Sequence, residues 1–332
     1  MVAKIVKRLL LAVPTLIGVT LITFILVKNI PGDPAYGLVG QRATPEMIAR
    51  NRRMLGLDRP LYSQYLLFLK NLSFIRIPTV ETYRWGDFKF KFVSCFKRPY
   101  LGHSYFTHQP VSQMLLEKLP NTARLALAAV LLAVLAGLGM GMLASSFPRT
   151  ACDRLTSFLA ISGISLPVFW SGLILIIIFS NYLGWLPASG MGGGALIFLV
   201  LPAVTLGSRS AAYLARISRS SMLEVASENY VTAARARGLS RTRVVFKHVF
   251  RNALIPIVTL AGLDFGSYLN GSVLTETIFG WDGVGRLAMN SIIQRDYPVI
   301  IGCVILGAVI FVGINILVDI SYVYIDPRIK HK

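Results

Sequence analysis

LTSFLAISGISLPVFWSGLILIIIFSNYLGWLPASGMGGGALIFLVLPAVTLGS, residues 155–208, holds no Asp, Glu, Lys or Arg in 54 consecutive positions. A helix crosses the ~30 Å hydrocarbon core of a bilayer with about 20 apolar residues. The stretch is too long for one crossing and fits two. It divides at Asn181–Gly194, where Pro187 and clustered glycines mark a loop. The expected spans are Leu155–Ser180 and Ala195–Ala215.

The rest of the chain has the same character. Four more runs read as spans: Leu9–Val27, Leu125–Pro148, Asn252–Thr275 (interrupted only by Asp264) and Tyr297–Val318. Six crossings would place both termini on one side. Of the 332 residues, 54% are apolar and 15% charged, against roughly a quarter charged in soluble domains. Such a composition excludes disorder, and uncharged runs of this length do not suit a soluble enzyme. Three cysteines in 332 residues exclude a disulfide scaffold, and Cys95, Cys152 and Cys303 are expected in different compartments, so they form no single site. Lys4, Lys7 and Arg8 give the first run the basic start of a secretory signal. Its apolar run exceeds the roughly 7–15 residues of a signal core. Lys28-Asn29-Ile30-Pro31 follows with no small-residue cleavage site, so the run reads as a retained span.

Lys plus Arg outnumber Asp plus Glu by 34 to 15, a net charge of +19. On the terminal side lie Lys4, Lys7, Arg8, Arg149, Arg154, eight basic residues between Arg216 and Arg251, and Arg328, Lys330 and Lys332. The two short loops opposite hold only Arg286 and Arg295. The positive-inside rule makes the terminal side cytoplasmic. Lys28–Lys118 carries 14 basic residues on the other side, but long segments cross largely regardless of charge. Most of the charge flanks spans, so it marks orientation rather than a nucleic-acid footprint.

The segment Arg216–Arg251 carries more charge than orientation needs. Glu228–Gly238 (ENYVTAARARG) is rich in helix formers and ends on a glycine that suits a helix stop. Ser240 suits the cap of a second helix, in which Val244, Val245, Val249 and Ile255 recur at helical spacing. The pattern predicts helix, glycine turn, helix at the cytoplasmic face. Two uses fit equally: filling a groove on a partner, or resting on anionic headgroups.

Thr232-Ala233-Ala234-x-x-x-Gly238 resembles the EAA loop of ABC importer permeases. NYVTAARARGLSRTRVVFKHVFRNALIP (Asn229–Pro256) is similar to its form in the peptide and nickel importer branch. Further matches follow in order: Ile30-Pro31-Gly32-Asp33-Pro34, Ala43–Leu69, Ser220–Leu223, TETIFGWDGVGRL at Thr275–Leu287, RDYPVI at Arg295–Ile300, and Asp326-Pro327-Arg328. The set resembles the B-type permease subunit of dipeptide importers. The resemblance implies an all-α integral membrane protein, with six transmembrane helices in the type I importer permease fold and an external helical segment. The division expected is span 1 at residues 1–27, an extracytoplasmic region at 28–120 with an insertion at 73–100, a permease core at 121–325 with its coupling loop at 224–252, and a tail at 326–332. Within the insertion, Phe88, Phe90 and Phe92 alternate with Lys89 and Lys91 after Gly86-Asp87, which predicts a β-hairpin. It is expected either to contact a binding protein or to pack on the permease itself.

The resemblance also implies partners. A second homologous permease subunit completes the pathway, two cytoplasmic ABC ATPase subunits drive it, and an extracytoplasmic substrate-binding protein feeds it. ATP is held by the partner subunits, and this chain is expected to hold no cofactor. The implied coupling residues are Glu228, Tyr230, Ala233, Ala234, Arg235, Arg237 and Gly238. The alanines allow close seating, Gly238 permits the turn, and the arginines meet acidic groove residues or lipid phosphate. Thr232 stands where the wider family has Glu, and Arg251 where it often has Pro. The implied cargo is dipeptides or short oligopeptides; nickel and glutathione importers share the scaffold.

No Gly-Lys dipeptide occurs, so the chain cannot form a P-loop and is not expected to be an enzyme. A rival class, the ion-coupled secondary transporter, calls for membrane-embedded ionisable pairs and inverted repeats. Arg209 and Asp264 lie inside spans, but no repeat is evident. Arg209, Asp264, Asn270, Ser272 and Glu276 are the pathway candidates, with a structural pairing as the competing role for Asp264. Pro167, Pro202 and Pro256 mark expected kinks. His103 and His108, five apart without further evident ligands, are weak grounds for a metal.

Overall fold

A computed structural model describes residues 2–29, 44–54, 58–73, 75–85, 88–96, 100–240 and 243–325. The expectations at Ile30–Pro34, at Gly86-Asp87, at Arg241 and in the tail 326–332 lie outside the described residues.

Helix α1 (Val2–Asn29) is followed by α2 (Pro45–Met54), α3 (Leu61–Leu72) and strands β1 (Ile75–Trp85) and β2 (Phe88–Phe96). The strands run antiparallel, with Trp85 in register with Phe88 and Thr79 with Ser94. The long α4 (Val111–Ser146) leads to α5 (Ala151–Ser165) and α6 (Val168–Leu175), which continues as a π-helical turn to Tyr182. Next come α7 (Ile197–Ala226) and the short α8 (Asn229–Ala236). A π-helical segment, Val244–Phe250, runs straight into α9 (Arg251–Leu269). The chain continues through α10 (Val273–Ile278), α11 (Val284–Gln294) and α12 (Tyr297–Ile325).

The six-helix expectation needs correction. Among the described residues four helices are long and apolar enough to cross a membrane: Val111–Ser146, Ile197–Ala226, Val244–Leu269 and Tyr297–Ser321. A fifth exists only if α5 and the α6 segment to Tyr182 are one broken span, because they bend by 106°. The cause is Leu166-Pro167. Pro167 has no N–H to continue α5 and pushes the residue before it out of the helical region; both residues are extended, at ψ 133°. Hydropathy sums side chains and is blind to that change of backbone direction. The described apolar stretch of α1, Leu10–Leu26, is shorter than the four; its 17 residues reach about 25 Å, against a core of ~30 Å.

The chain forms two compact units. One comprises residues 15–116 and 290–305. In it Thr20 Oγ1 of α1 and the Tyr65 hydroxyl of α3 lie 3.1 Å apart, and the Phe24 and Tyr65 rings are 5.4 Å apart. The buried Asp296 accepts Ser104 Oγ at 2.5 Å and the Tyr105 N–H at 3.1 Å.

The other unit comprises residues 1–14, 117–289 and 306–332. There α4 and α7 meet through small residues. A Cβ added at Gly137 would lie 2.6 Å from Leu214 Cβ, and one at Gly141 would lie 2.5 Å from Ser218 Cβ. On α7, a Cβ at Gly207 would lie 2.5 Å from the Ala129 carbonyl. Lipid offers helices no hydrophobic drive to associate, so close van der Waals contact between backbones supplies it, and glycines four apart permit the approach. On α5, buried Asp153 accepts Arg219 Nε at 2.6 Å, Arg219 Nη2 at 2.9 Å and the Arg149 N–H at 2.9 Å. That forked pair ties α7 to α5.

Replacing Gly141 by Val should force α4 from α7 and destabilise the protein by about 1–3 kcal/mol, the usual cost of overpacking. A lower melting temperature in detergent reads this out. Gly139→Val is the control, since an added Cβ there meets nothing within 4 Å. Equal losses in both variants would break the packing argument.

Candidate functional site

The segment after α7 is built by two residues with special backbones. Glu228 is extended, at ψ 145°, and its carbonyl accepts the N–H groups of Val231 at 3.0 Å and Thr232 at 3.1 Å, which starts α8. Its carboxylate makes no capping hydrogen bond and is exposed. The helix stops where Gly238 enters the left-handed region at φ 77° and donates its N–H to Arg235 O at 2.9 Å. A Cβ there would meet nothing within 4 Å, so glycine is needed for conformation rather than for space. Ser240 O then accepts the Val244 N–H at 3.0 Å. The π-helical turn that follows brings Val244 and Val249, five apart, to one side, and both are buried.

Helix α8 therefore has two faces. Val231 and Ala234, three apart, are 0% and 6% exposed in a core with Met222, Val244, Val249 and Ala253. Glu228, Tyr230, Ala233, Arg235, Arg237 and Gly238 are exposed. The Tyr230 hydroxyl accepts Asn252 Nδ2 at 2.8 Å, which tethers the outer face to α9. The two alanines of the motif are thus separated: Ala234 seats the helix on its own spans, and Ala233 points away. A cavity of about 500 Å³ adjoins this seat, lined among others by Ser145, Pro148, Met222, Arg235 and Val244.

Of the pathway candidates, Arg209 and Asp264 lie on the packed helices α7 and α9. The Ser210 hydroxyl, beside Arg209 in the chain, meets the Tyr268 hydroxyl, one turn from Asp264, and Tyr268 also donates to Leu206 O at 3.0 Å. Asn270 is exposed at the end of α9, and Ser272 precedes α10 with its hydroxyl buried.

Glu276 lies elsewhere, 0% exposed on α10. It accepts Thr122 Oγ1 at 3.0 Å and the Arg286 N–H at 3.0 Å, and also the Gly285 N–H. Burial pushes its pKa above the usual carboxylate range despite those three donors, and the nearby Asp282 carboxylate adds to the rise. A Cβ at Gly283 would lie 2.5 Å from Glu276 Oε2, and one at Gly285 2.9 Å from it. Thr122 in turn accepts the Val284 N–H at 2.8 Å, Trp281 Nε1 donates to Asn121 O at 3.0 Å, and Lys118 pairs with Asp282 at 2.5 Å. The segment Thr275–Leu287 is wrapped around one buried carboxyl. Sequence reasoning missed this knot, although Gly283 and Gly285 beside a lone Glu were its visible signal. It also missed the Asp153–Arg219 pair, whose partners are far apart in the chain.

Residues 119–331 match the profile of the binding-protein-dependent transport system inner membrane component, and residues 1–126 match that of its N-terminal region. The chain is 40% identical to the di/tripeptide transport system permease protein DppB of Pseudomonas aeruginosa. It is 37% identical to the dipeptide transport system permease protein DppB of Alkalihalophilus pseudofirmus. It is 39% identical to the glutathione transport system permease protein GsiC of Escherichia coli K12. Each alignment covers 100% of both chains. A solved chain of the MetNI methionine ABC transporter, in an inward-facing conformation, aligns with a TM-score of 0.55 at 18% identity. It covers 66% of this chain and 99% of the other, a likeness of fold.

Glu276→Ala leaves the Thr122 hydroxyl and two amides without an acceptor and should cost about 1–3 kcal/mol, seen in the melting temperature. Glu276→Gln keeps one acceptor and should lose less near neutral pH. The raised pKa fixes the sign of a pH effect. The carboxyl contributes fully below its unfolded value, near the ordinary 4.5, and loses that contribution as pH rises through the folded value. The melting temperature of the parent relative to Glu276→Gln should fall from about pH 4 to about pH 8; a gap widening in the parent's favour would contradict the buried-acid assignment.

Proposed function

This chain belongs to the family of binding-protein-dependent transport system inner membrane components, as a multi-pass permease subunit of a peptide-type ABC importer, and from that membership we propose how it takes its power and its cargo. Family membership implies the usual assembly of a paired permease, ATPase subunits and a substrate-binding protein. The cargo is a short peptide, the class common to di/tripeptides, dipeptides and glutathione, which the names of its relatives state.

Power enters through α8. The observation that carries this reading is the division of α8 into a seated face and an exposed one. Ala233, with Tyr230 and Arg237 about one turn to either side, offers a small apolar spot flanked by an aromatic ring and a guanidinium. Such a face suits a groove on an ATPase with acidic rims. Glu228 and Arg235 border it. Val231 and Ala234 embed the opposite face between the ends of α7 and α9, so displacement of α8 displaces those helices with it, a rigid-body gating motion. Gly238 turns the chain back so that α9 can start beside α7.

Two measurements test the reading. In the assembled importer, Ala233→Cys should be captured by a thiol crosslinker onto an ATPase subunit, whereas Ala234→Cys should be captured far less, because it is buried in the chain's own core. Gly238→Pro should abolish ATP-driven dialanine uptake into proteoliposomes, since proline is confined to φ near −65° and has no N–H for Arg235 O. Uptake at the parent rate by that variant would sink the coupling role.

A further inference from the structure

We infer that Arg209 and Asp264 form a binding slot for the two charged ends of a short peptide, the guanidinium taking the carboxylate and the aspartate taking the ammonium. The inference rests on the peptide-importer reading and adds to it where the permease itself grips its cargo. Helix α7 is the most enclosed of the spans, with 56% of its apolar window buried against 22–33% for the others. Between residues 201 and 223 its exposed positions, Arg209, Tyr213, Arg216 and Ser220, nevertheless form one stripe, since spacings of four, three and four stay on one helix face. The stripe is about 16 Å long at 1.5 Å per residue. It begins at Arg209, near the middle of a 30-residue apolar helix. A guanidinium exposed at that level is costly against hydrocarbon, so the stripe faces water or protein.

Asp264 is turned toward the same place. Gly262 and Gly266 of α9 pack against Val318 and Ile314 of α12, which commits that side of the helix to α12. The other side carries Asp264 and Tyr268, four apart, toward Leu206 and Ser210 of α7. Arg209 adjoins Ser210 in the chain and Asp264 is one turn from Tyr268, so the Ser210–Tyr268 contact brings the two charges to the same level of the facing helices. Yet among the described residues neither makes an ion pair within 4 Å, whereas Arg219 and Asp153 on the same unit close to 2.6 Å. A pair serving only to tie two helices would close in the same way. Opposite charges held near each other but apart leave room for a molecule carrying the complementary pair. A guanidinium takes a carboxylate through two parallel hydrogen bonds, and a carboxylate takes an ammonium. Both ends are present in every unmodified short peptide whatever its side chains.

The test uses the assembled importer with Cys95, Cys152 and Cys303 replaced by Ser and a reporter Tyr213→Cys, one turn from Arg209. Ser267→Cys on α9 is the second reporter, for use if the first fails to assemble. The water-soluble reagent 2-aminoethyl methanethiosulfonate should modify the reporter. Dialanine, supplied with binding protein and ATP, should protect it, and N-acetyl-dialanine amide, which lacks both charges, should not. Adding Arg209→Gln or Asp264→Asn should abolish the protection while leaving the labelling. Labelling that dialanine never slows overturns the inference. So does a reporter that reacts in the lone chain but is silent in the assembly, which would make the stripe a seam with the partner permease. Failure of the parent importer to take up dialanine at all is a separate result, and it overturns the peptide reading on which this one stands.

Discussion

Val231 and Ala234 hold α8 against the ends of α7 and α9, and the functional reading of the chain depends on that contact. An isolated helix shorter than about 12 residues is marginal in water, so an eight-residue helix owes its shape to what it packs on. The seat is made by residues from three segments: Met222 at the end of α7, Val244 and Val249 in the π-helical turn, and Ala253 at the start of α9. Close-packed apolar contacts of this kind yield little to pressure and transmit displacement. A polar or loosely packed seat would absorb a push. On the proposed coupling, this one would pass it to the roots of two spans.

The ionisable groups near the spans are treated in two ways. Asp153 and Glu276 are both buried and both fully engaged, one by a forked guanidinium and a backbone amide, the other by a hydroxyl and two amides. Each ties segments far apart in the chain: α5 to α7, and α4 to the segment from α10 to α11. A buried polar group left without partners is expensive, so such knots fix one arrangement of the chain. Arg209 and Asp264 lie on the facing helices α7 and α9, and among the described residues no ion pair joins them. On the proposed reading these two are kept open for a ligand, while Asp153 and Glu276 are closed.

The sequence made the class of the molecule legible, and much of the site, for identifiable reasons. Long uncharged runs announce membrane helices because hydrocarbon tolerates little else, and four of them are present as single helices. The helix at Asn229–Ala236, its glycine stop and the helix restart at Val244 were readable because helix propensity and left-handed glycine are local effects, although the Glu228 side chain supplies no cap. The bend at Leu166-Pro167 was not, since Pro167 also suits an ordinary kink, and only the backbone path distinguishes a kink from a 106° break. The separate tasks of Ala233 and Ala234 were hidden because adjacent small residues look alike until the helix is docked. Glu276 looked like a residue at the mouth of a pathway because its fate depends on Thr122, more than 150 positions away. Each miss is a long-range fact, and each success a local one.

Helix α7 is where power and cargo meet on the proposed reading. Met222 at its basic end forms part of the seat of α8, and Arg209 lies thirteen residues earlier, about 20 Å along the same rod. Between the two, α7 is not free to move alone. Gly137 and Gly141 bring α4 into contact with it at Leu214 and Ser218, and Asp153 on α5 grips it at Arg219. A push delivered through Val231 and Ala234 therefore moves α7 together with the helices clamped to it. The side of α9 facing α7 packs on it through Ile257 against Ala211 and Leu214, and through the hydroxyls of Ser210 and Tyr268 at the level of Arg209. Relative motion of α7 and α9 would change the separation of Arg209 and Asp264 before it disturbed any closed ion pair, so the slot would sense the position of α8 without itself being strong enough to resist it.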